Sequence, residues 1–235
     1  MPKDPIGMLG RMNAASLMII TPEFFKMRRL RMKGAAKISA TPARFAMKPE
    51  RMTLDGVDIR FARAGNPNGP TVLFLSPLPQ SILCYDKVWG ALAVDANLVA
   101  LDLPGFGRSV GDMSFMTFEA QSAFLEKFVF EMGLTDIHIV APDIAMPVAL
   151  HYVIHHDHKA ASILLGDGPG ILPSDNGSLV TKIIHSGFWR SMVKMTGARA
   201  FIAGAIQLGY LHYSPSAEEV ADYVASYSGR IGQVC

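Results

Sequence analysis

Ile137-His138-Ile139-Val140-Ala141-Pro142-Asp143-Ile144-Ala145-Met146-Pro147-Val148-Ala149-Leu150 is the stretch whose reading decides the fold. Its first five residues are β-branched or apolar apart from one histidine and read as a short buried strand. From Ala145 the pattern runs on through Tyr152 and Ile154 as a helix. Between the two stands Asp143, with small Ala141 and Ala145 two positions away on either side. An ionisable side chain at the crest of a strand-to-helix turn, crowded so closely that only small neighbours fit, has the layout of a nucleophile elbow. Pro147 suits the first helical turn, where its missing N–H has no helical partner to lose. The segment alone leaves a second role open, because aspartate is also a common N-cap, worth about 1 kcal/mol to a helix.

Working outward, Arg51 to Gly65 alternates apolar and polar residues around Asp55-Gly56, a hairpin signature. Thr71-Val72-Leu73-Phe74-Leu75-Ser76 is a continuous apolar strand of the kind buried on both faces of a parallel sheet. A helix is expected over Tyr85–Ala93, with Val88, Trp89 and Leu92 on its apolar face, and the next strand over Asn97–Asp102. Thr117 caps a helix predicted to run through Met132, with Phe124 and Phe128 facing the core and Gly133 as its stop. After the elbow helix, Ala160 to Asp167 reads as a strand ending in a carboxylate. Strands and helices alternating at this pitch predict an α/β fold with a doubly wound, mostly parallel sheet, whose ligands bind beyond the carboxyl ends of the strands. Ser76–Pro79, the turn at Pro104, Asp143 and Asp167 all fall at those ends.

From Ile171 onward only helical segments follow: Leu179–Met195, Ala198–Leu211 and Ala217–Tyr227, the last opened by a Ser216/Glu219 capping box. They read as a helical lid after the sixth strand. The expected organisation is a basic N-terminal extension over 1–50, a core over 51–170 and a cap over 171–235. Residues 1–51 hold eleven lysines and arginines against three acidic residues; the remainder holds eleven against seventeen. Such a basic arm suits a weak contact with an anionic membrane surface, or simply solvent. The apolar run 14–20 is too short to span a bilayer and lacks a signal-peptide cleavage site, although the Arg-rich 24–48 permits an organelle transit peptide. Two cysteines, Cys84 and Cys235, make no disulfide framework, so a reducing, cytoplasmic setting is the default expectation.

Several signals point nowhere further. Gly105-Phe106-Gly107-Arg108-Ser109-Val110-Gly111 imitates a dinucleotide fingerprint, but its third glycine comes one residue late and no helix opens on it. His151, His155, His156 and His158 cluster at a helix end where cations suit the dipole, so no metal is expected there. There is no Gly-x-Ser-x-Gly elbow, which argues against esterase or lipase chemistry. Neither a cofactor nor a nucleic-acid partner is expected; a small molecule is.

With these residues in place the chain resembles the α/β-hydrolase family, and within it the branch of haloalkane dehalogenases and epoxide hydrolases. The likeness covers about residues 50 to 230. Its most specific pieces are Leu101-Asp102-Leu103-Pro104-Gly105-Phe106-Gly107-Arg108-Ser109 and the elbow with aspartate at Asp143. The resemblance implies that Asp143 attacks an electrophilic carbon to form an alkyl ester. It also implies an oxyanion hole from the backbone N–H groups of Leu78 and Ile144. Asp167 matches the acid that orients a histidine in some dehalogenases, or is a turn aspartate before Gly168-Pro169. Lid tyrosines, Tyr210 and Tyr213 first among them, would bind substrate and protonate an opening epoxide, or simply pack.

Three positions depart from the family pattern. The water-activating histidine belongs after a final strand, and this chain ends in the lid, so it reads as C-terminally truncated; His185 and His212 are the only lid histidines. Halide-binding tryptophan is replaced by Ile144, with Leu78 opposite. The family's His-Gly is Ser76-Pro77. A non-catalytic protein of the same fold, acting as a binding or interaction module, is therefore the competing expectation. A sheet lacking its last strands should leave apolar edges exposed, so a homodimer or poor solubility is predicted; sedimentation of a well-behaved monomer with a cooperative melt would contradict it.

Overall fold

The computed structural model describes residues 46–156, 160–166, 168, 187–210 and 214–228, with backbone alone for 188–196 and 208–209. The expectations placed on residues 1–45, Asp167, Tyr213, His158, His185, His212 and Cys235 lie outside the described residues.

The chain divides into two compact units, Ile38–Ser174 and a second drawn from Met1–Lys37 and Asp175–Cys235. In the first, β1 (Pro49–Leu54) and β2 (Val57–Gly65) form the expected hairpin, followed by β3 (Thr71–Leu75), β4 (Asn97–Leu101), β5 (His138–Pro142) and β6 (Ser162–Gly166). The strands lie in the order β1-β2-β4-β3-β5-β6. β1–β2 and β2–β4 pair antiparallel; β4–β3, β3–β5 and β5–β6 pair parallel. The chain thus moves one way from β3 to β4 and then steps back across β3 to β5. That reversal is a topological switch point at the carboxyl ends of β3 and β5, the place where doubly wound sheets bind ligands.

Alternation of side chains along the strands builds a core on each face. On one face Leu73, Leu75, Val99, Leu101, Ile139 and Ala141 pack with Phe124, Leu125, Phe128 and Val129 of α2 (Phe118–Glu131) and Val148, Ala149 and Tyr152 of α3 (Ala145–His155). On the other, Phe74, Leu98 and Ala100 pack with Trp89 and Ala93, which belong to or directly follow α1 (Asp86–Leu92). Thr117 caps α2 by accepting the Ala120 N–H at 3.2 Å, and Gly133 ends it with φ 62°. One expectation needs correcting. Trp89 is buried, but Val88 and Leu92 are 46% and 42% exposed. α1 is only seven residues long and follows a 3-10 turn at Ile82–Tyr85, so a single bulky side chain supplies most of its contact.

The second unit contains α4 (Gly187–Gly209) and α5 (Ala217–Tyr227). α4 is two helical pieces joined at Gly197, whose φ of 75° and ψ of 165° are not helical, close to the seam read between Met195 and Ala198. Ser216 and Glu219 make the full capping box on α5. No helix of the described residues is long and apolar enough to cross a membrane.

A charged pair ties the core together. Arg60 on β2 and Asp102 just after β4 are both buried, with Nε and Nη2 of Arg60 each 2.6 Å from Asp102 Oδ2. The same carboxylate accepts the N–H groups of Arg108 at 3.0 Å and Ile82 at 2.9 Å. Burial pushes the Asp102 carboxyl up from its ordinary value, while Arg60 and the two N–H groups pull it back. Gly107 is required beside it, because a Cβ there would sit 2.2 Å from the Asp102 carboxyl carbon. Removing one partner leaves the other charge buried and uncompensated. Asp102→Ala is expected to lower stability by about 3–5 kcal/mol in urea titration, whereas Asp58→Ala, which breaks an exposed pair with Arg51, should barely move the midpoint.

Candidate active site at the strand-to-helix turn

The site is assembled from two loops that meet at the carboxyl ends of β3 and β5. After β5 the backbone turns sharply at Asp143, with φ 51°, in the left-handed region that L-residues seldom adopt outside tight turns. Its N–H donates to the Gly166 carbonyl of β6 at 2.8 Å, and its own carbonyl accepts the Met146 N–H at 3.0 Å. Both sides of the residue are thereby fixed. Ala141 and Ala145 are completely buried, which explains why small side chains flank the turn. Pro147 falls in the first turn of α3, as its sequence position suggested.

Asp143 is not the cap of α3. The N-cap is Ile144, in helical conformation and without a side-chain capping bond, and the positive φ of Asp143 differs from the extended backbone of an N-cap. Instead, Asp143 Oδ2 accepts the N–H of Leu78 at 2.8 Å. Leu78 lies in the loop after β3 and is joined to Pro79 by a cis peptide bond. Leu78 and Ile144 are half-buried and pack against the main core, so their side chains anchor the two turns. The N-terminal end of α3 next to Asp143 favours a charged carboxylate by up to about 1 kcal/mol.

The loop after β3 is itself well held. The Ser76 N–H donates to the Leu101 carbonyl at 3.1 Å, and the Tyr85 hydroxyl donates to the Leu75 carbonyl at 2.6 Å. Burial pushes the Tyr85 hydroxyl well above its usual range, so it remains a donor. Ser76 is fully buried, and its hydroxyl makes no hydrogen bond among the described residues.

Of the residues singled out from the sequence, Asp143, Leu78 and Ile144 come together here. Tyr210 ends α4 in the second unit, where its N–H donates to the Ile206 carbonyl at 3.0 Å. Tyr223 and Tyr227 of α5 are buried, and Tyr227 stacks edge-on with Phe201. Among the described residues no group of three or more His, Cys, Asp or Glu is arranged to hold a metal ion. An open cavity of about 460 Å³ lined by Leu54, Asp55, Glu126, Lys127, Phe130 and Glu131 uses no residue of the elbow or the Leu78 loop.

No protein-family model matches the chain. Among curated proteins it is 29% identical, over 112 residues, to the dihydrolipoyllysine-residue acetyltransferase component of the acetoin cleaving system of Cupriavidus necator; the match covers 48% of this chain and 30% of that protein. It is 29% identical over 97 residues to a haloalkane dehalogenase of Bradyrhizobium diazoefficiens, covering 41% and 31%. The matches thus span less than a third of those relatives' length. A solved α/β-hydrolase fold protein from Burkholderia ambifaria superposes with a TM-score of 0.62 at 17% identity, over 78% of this chain and 67% of that one. The fold is that of the α/β-hydrolases. Haloalkane dehalogenase DbeA (loop variant) from Bradyrhizobium elkanii shares it, at a TM-score of 0.65 and 21% identity, covering 80% of this chain and 66% of that one. So does an epoxide hydrolase from Vigna radiata, at 0.62 and 17%, covering 80% and 68%.

Two features of this α/β-hydrolase fold went unread in the sequence. An arginine on an apolar strand was the available sign of the Arg60–Asp102 pair. The need for Gly168 carried no sign: a Cβ there would lie 2.4 Å from the Asp143 carbonyl oxygen and 2.7 Å from Met146 Cβ. Gly168→Ala should therefore push the elbow out of place at a cost of about 1–3 kcal/mol, read as a lowered melting midpoint.

Proposed function

We propose that this chain is a hydrolase in which Asp143 is the nucleophile toward a small, mostly apolar electrophile, an alkyl halide or an epoxide. The observation that carries the reading is the Leu78 N–H held 2.8 Å from Asp143 Oδ2. One carboxylate oxygen is thus already bound by a main-chain donor. The other would attack the electrophilic carbon: a C–O bond forms, and the carbon–halogen bond breaks with its electron pair leaving as halide. With an epoxide the same attack opens the ring, and the alkoxide takes a proton from solvent water. In the second step water adds to the ester carbonyl. Charge then grows on the oxygen that the Leu78 N–H already holds, with the Ile144 N–H as second donor.

Water activation calls for a histidine oriented by an acid, the role read for Asp167. The described histidines with hydrogen bonds are engaged elsewhere, His138 with Ser162 and His151 and His156 with Ser122. The two curated relatives carry different activities in their names, and a shared fold does not choose between them; the carboxylate at the elbow is what favours displacement at carbon.

Incubating the protein with a panel of reactive alkyl halides and epoxides and weighing it intact tests the reading. Covalent mass gain equal to the alkyl group less one hydrogen for a halide, or to the whole molecule for an epoxide, present in the natural protein and absent in Asp143→Asn, is the expected result. No adduct across the panel would instead favour a binding module built on the same fold.

A further inference from the structure

The Leu78 N–H serves Asp143 well only if it points the same way at all times, and the chain leading up to it has few ways to turn. The peptide unit between Leu75 and Ser76 is held at both of its polar groups. The Tyr85 hydroxyl donates to the Leu75 carbonyl at 2.6 Å, and the Ser76 N–H donates to the Leu101 carbonyl of β4 at 3.1 Å. Tyr85 is itself well placed to hold still: its ring lies 4.8 Å, centroid to centroid, from that of Phe74, and it packs against the second core cluster. The plane of this peptide is therefore fixed relative both to β4 and to the 3-10 turn at Ile82–Tyr85.

Between that plane and the Leu78 N–H, the soft torsions are φ and ψ of Ser76 and of Pro77. The pyrrolidine ring locks φ of Pro77 at roughly −65°. It also drives the preceding residue into the extended region, because its Cδ clashes with a helical Ser76. What remains is chiefly ψ of Pro77, and the residue beyond it is anchored by the Leu78 side chain in the main core. Ser76 and Pro77 are both buried, so packing limits the pair further. A glycine in place of Pro77 would release these restraints together, since glycine populates both signs of φ and places no ring against Ser76.

We propose that Pro77 and Tyr85 are positioning residues that aim the Leu78 N–H at Asp143 in advance of any substrate. Tyr85 fixes the start of a short arm, Pro77 stiffens it, and the main-chain donor sits at its tip. Neither residue touches the reacting atoms. A donor fixed beforehand needs no reorganisation when charge develops on the oxygen it holds. The consequence for rate rests on the reading of Asp143 as the nucleophile; the aiming of the amide does not.

Amide hydrogen exchange on the full chain reads the aim directly, with the Leu73 amide in the middle of β3 as internal reference. Relative to Leu73, exchange at Leu78 should speed up by roughly tenfold in Pro77→Gly and by about threefold in Pro77→Ala. Tyr85→Phe, which removes one hydroxyl and keeps the packed ring, should speed it as well. Global loss of stability speeds both amides, so the ratio isolates the arm. A ratio unchanged from the natural protein in Pro77→Gly, or in Pro77→Ala should the glycine variant not fold, overturns the proposal. Rates of covalent labelling by an alkyl halide give the second reading. The maximal rate should fall in the order natural protein, Pro77→Ala, Pro77→Gly, with the half-saturating concentration unmoved; equal maximal rates overturn the positioning role. A natural protein that takes up no label counts against Asp143 as nucleophile, and the exchange ratio then decides the aiming by itself.

Discussion

The buried carboxylate of Asp102 is the constraint on which the rest of the site depends. Four donors converge on it, from a guanidinium on β2, the loop after β4 and the turn after β3. Burying one charge alone would be prohibitive, and two charges in good geometry roughly offset their own desolvation. What the pair supplies is placement. Loops have no ladder of hydrogen bonds to hold them, and here one residue fastens the loops after β3 and β4 to each other and to the hairpin. The Ser109 hydroxyl completes the knot by donating to the Asp102 carbonyl and accepting the Arg60 N–H.

Fixing the loop after β3 in turn fixes the Leu78 N–H. Main-chain donors are useful in a reactive site because their direction is set by the backbone and does not depend on which side chain is present. Leu78 and Ile144 can therefore be apolar, packing into the core, while their amides remain candidates for an oxyanion hole. The Asp143 turn is held just as firmly from the other side, by Gly166 and Met146 through hydrogen bonds and by the close approach of Gly168. A strained residue persists when its surroundings over-determine it, and Asp143 is bound at its N–H, its carbonyl and its carboxylate.

Much of this was legible in the linear pattern, and the misses have physical causes. Periodicity located every described strand to within two residues at either end: β3 and β4, largely buried, leave a nearly unbroken apolar run, and the β1–β2 hairpin is marked by alternation about its turn residues. It failed for the exposed face of α1, since a seven-residue helix presents too few turns for the apolar stripe to be unambiguous. The N-cap reading of Asp143 was open in the sequence and closed by one dihedral angle. The histidines after Leu150 looked like a solvated helix end; Ser122, distant in sequence by 29 and 34 residues, is what gives two of them a shared partner. Spacing along one helix cannot reveal a hydroxyl on another.

By itself the sequence determined the alternation of strands and helices, the hairpin at Asp55-Gly56, the caps at Thr117 and Ser216, and the placing of an aspartate between a strand and a helix. These are local properties, set by side-chain size, branching and hydrogen bonding within a few residues. Only the tertiary structure decided that β5 lies beside β3 rather than β4, that the reversal brings Leu78 to Asp143 across 65 residues of chain, and that Arg60 meets Asp102. Those facts come from sheet order and from the pairing of buried polar groups. Many strand orders would satisfy the same apolar pattern, but few leave every buried charge and amide with a partner.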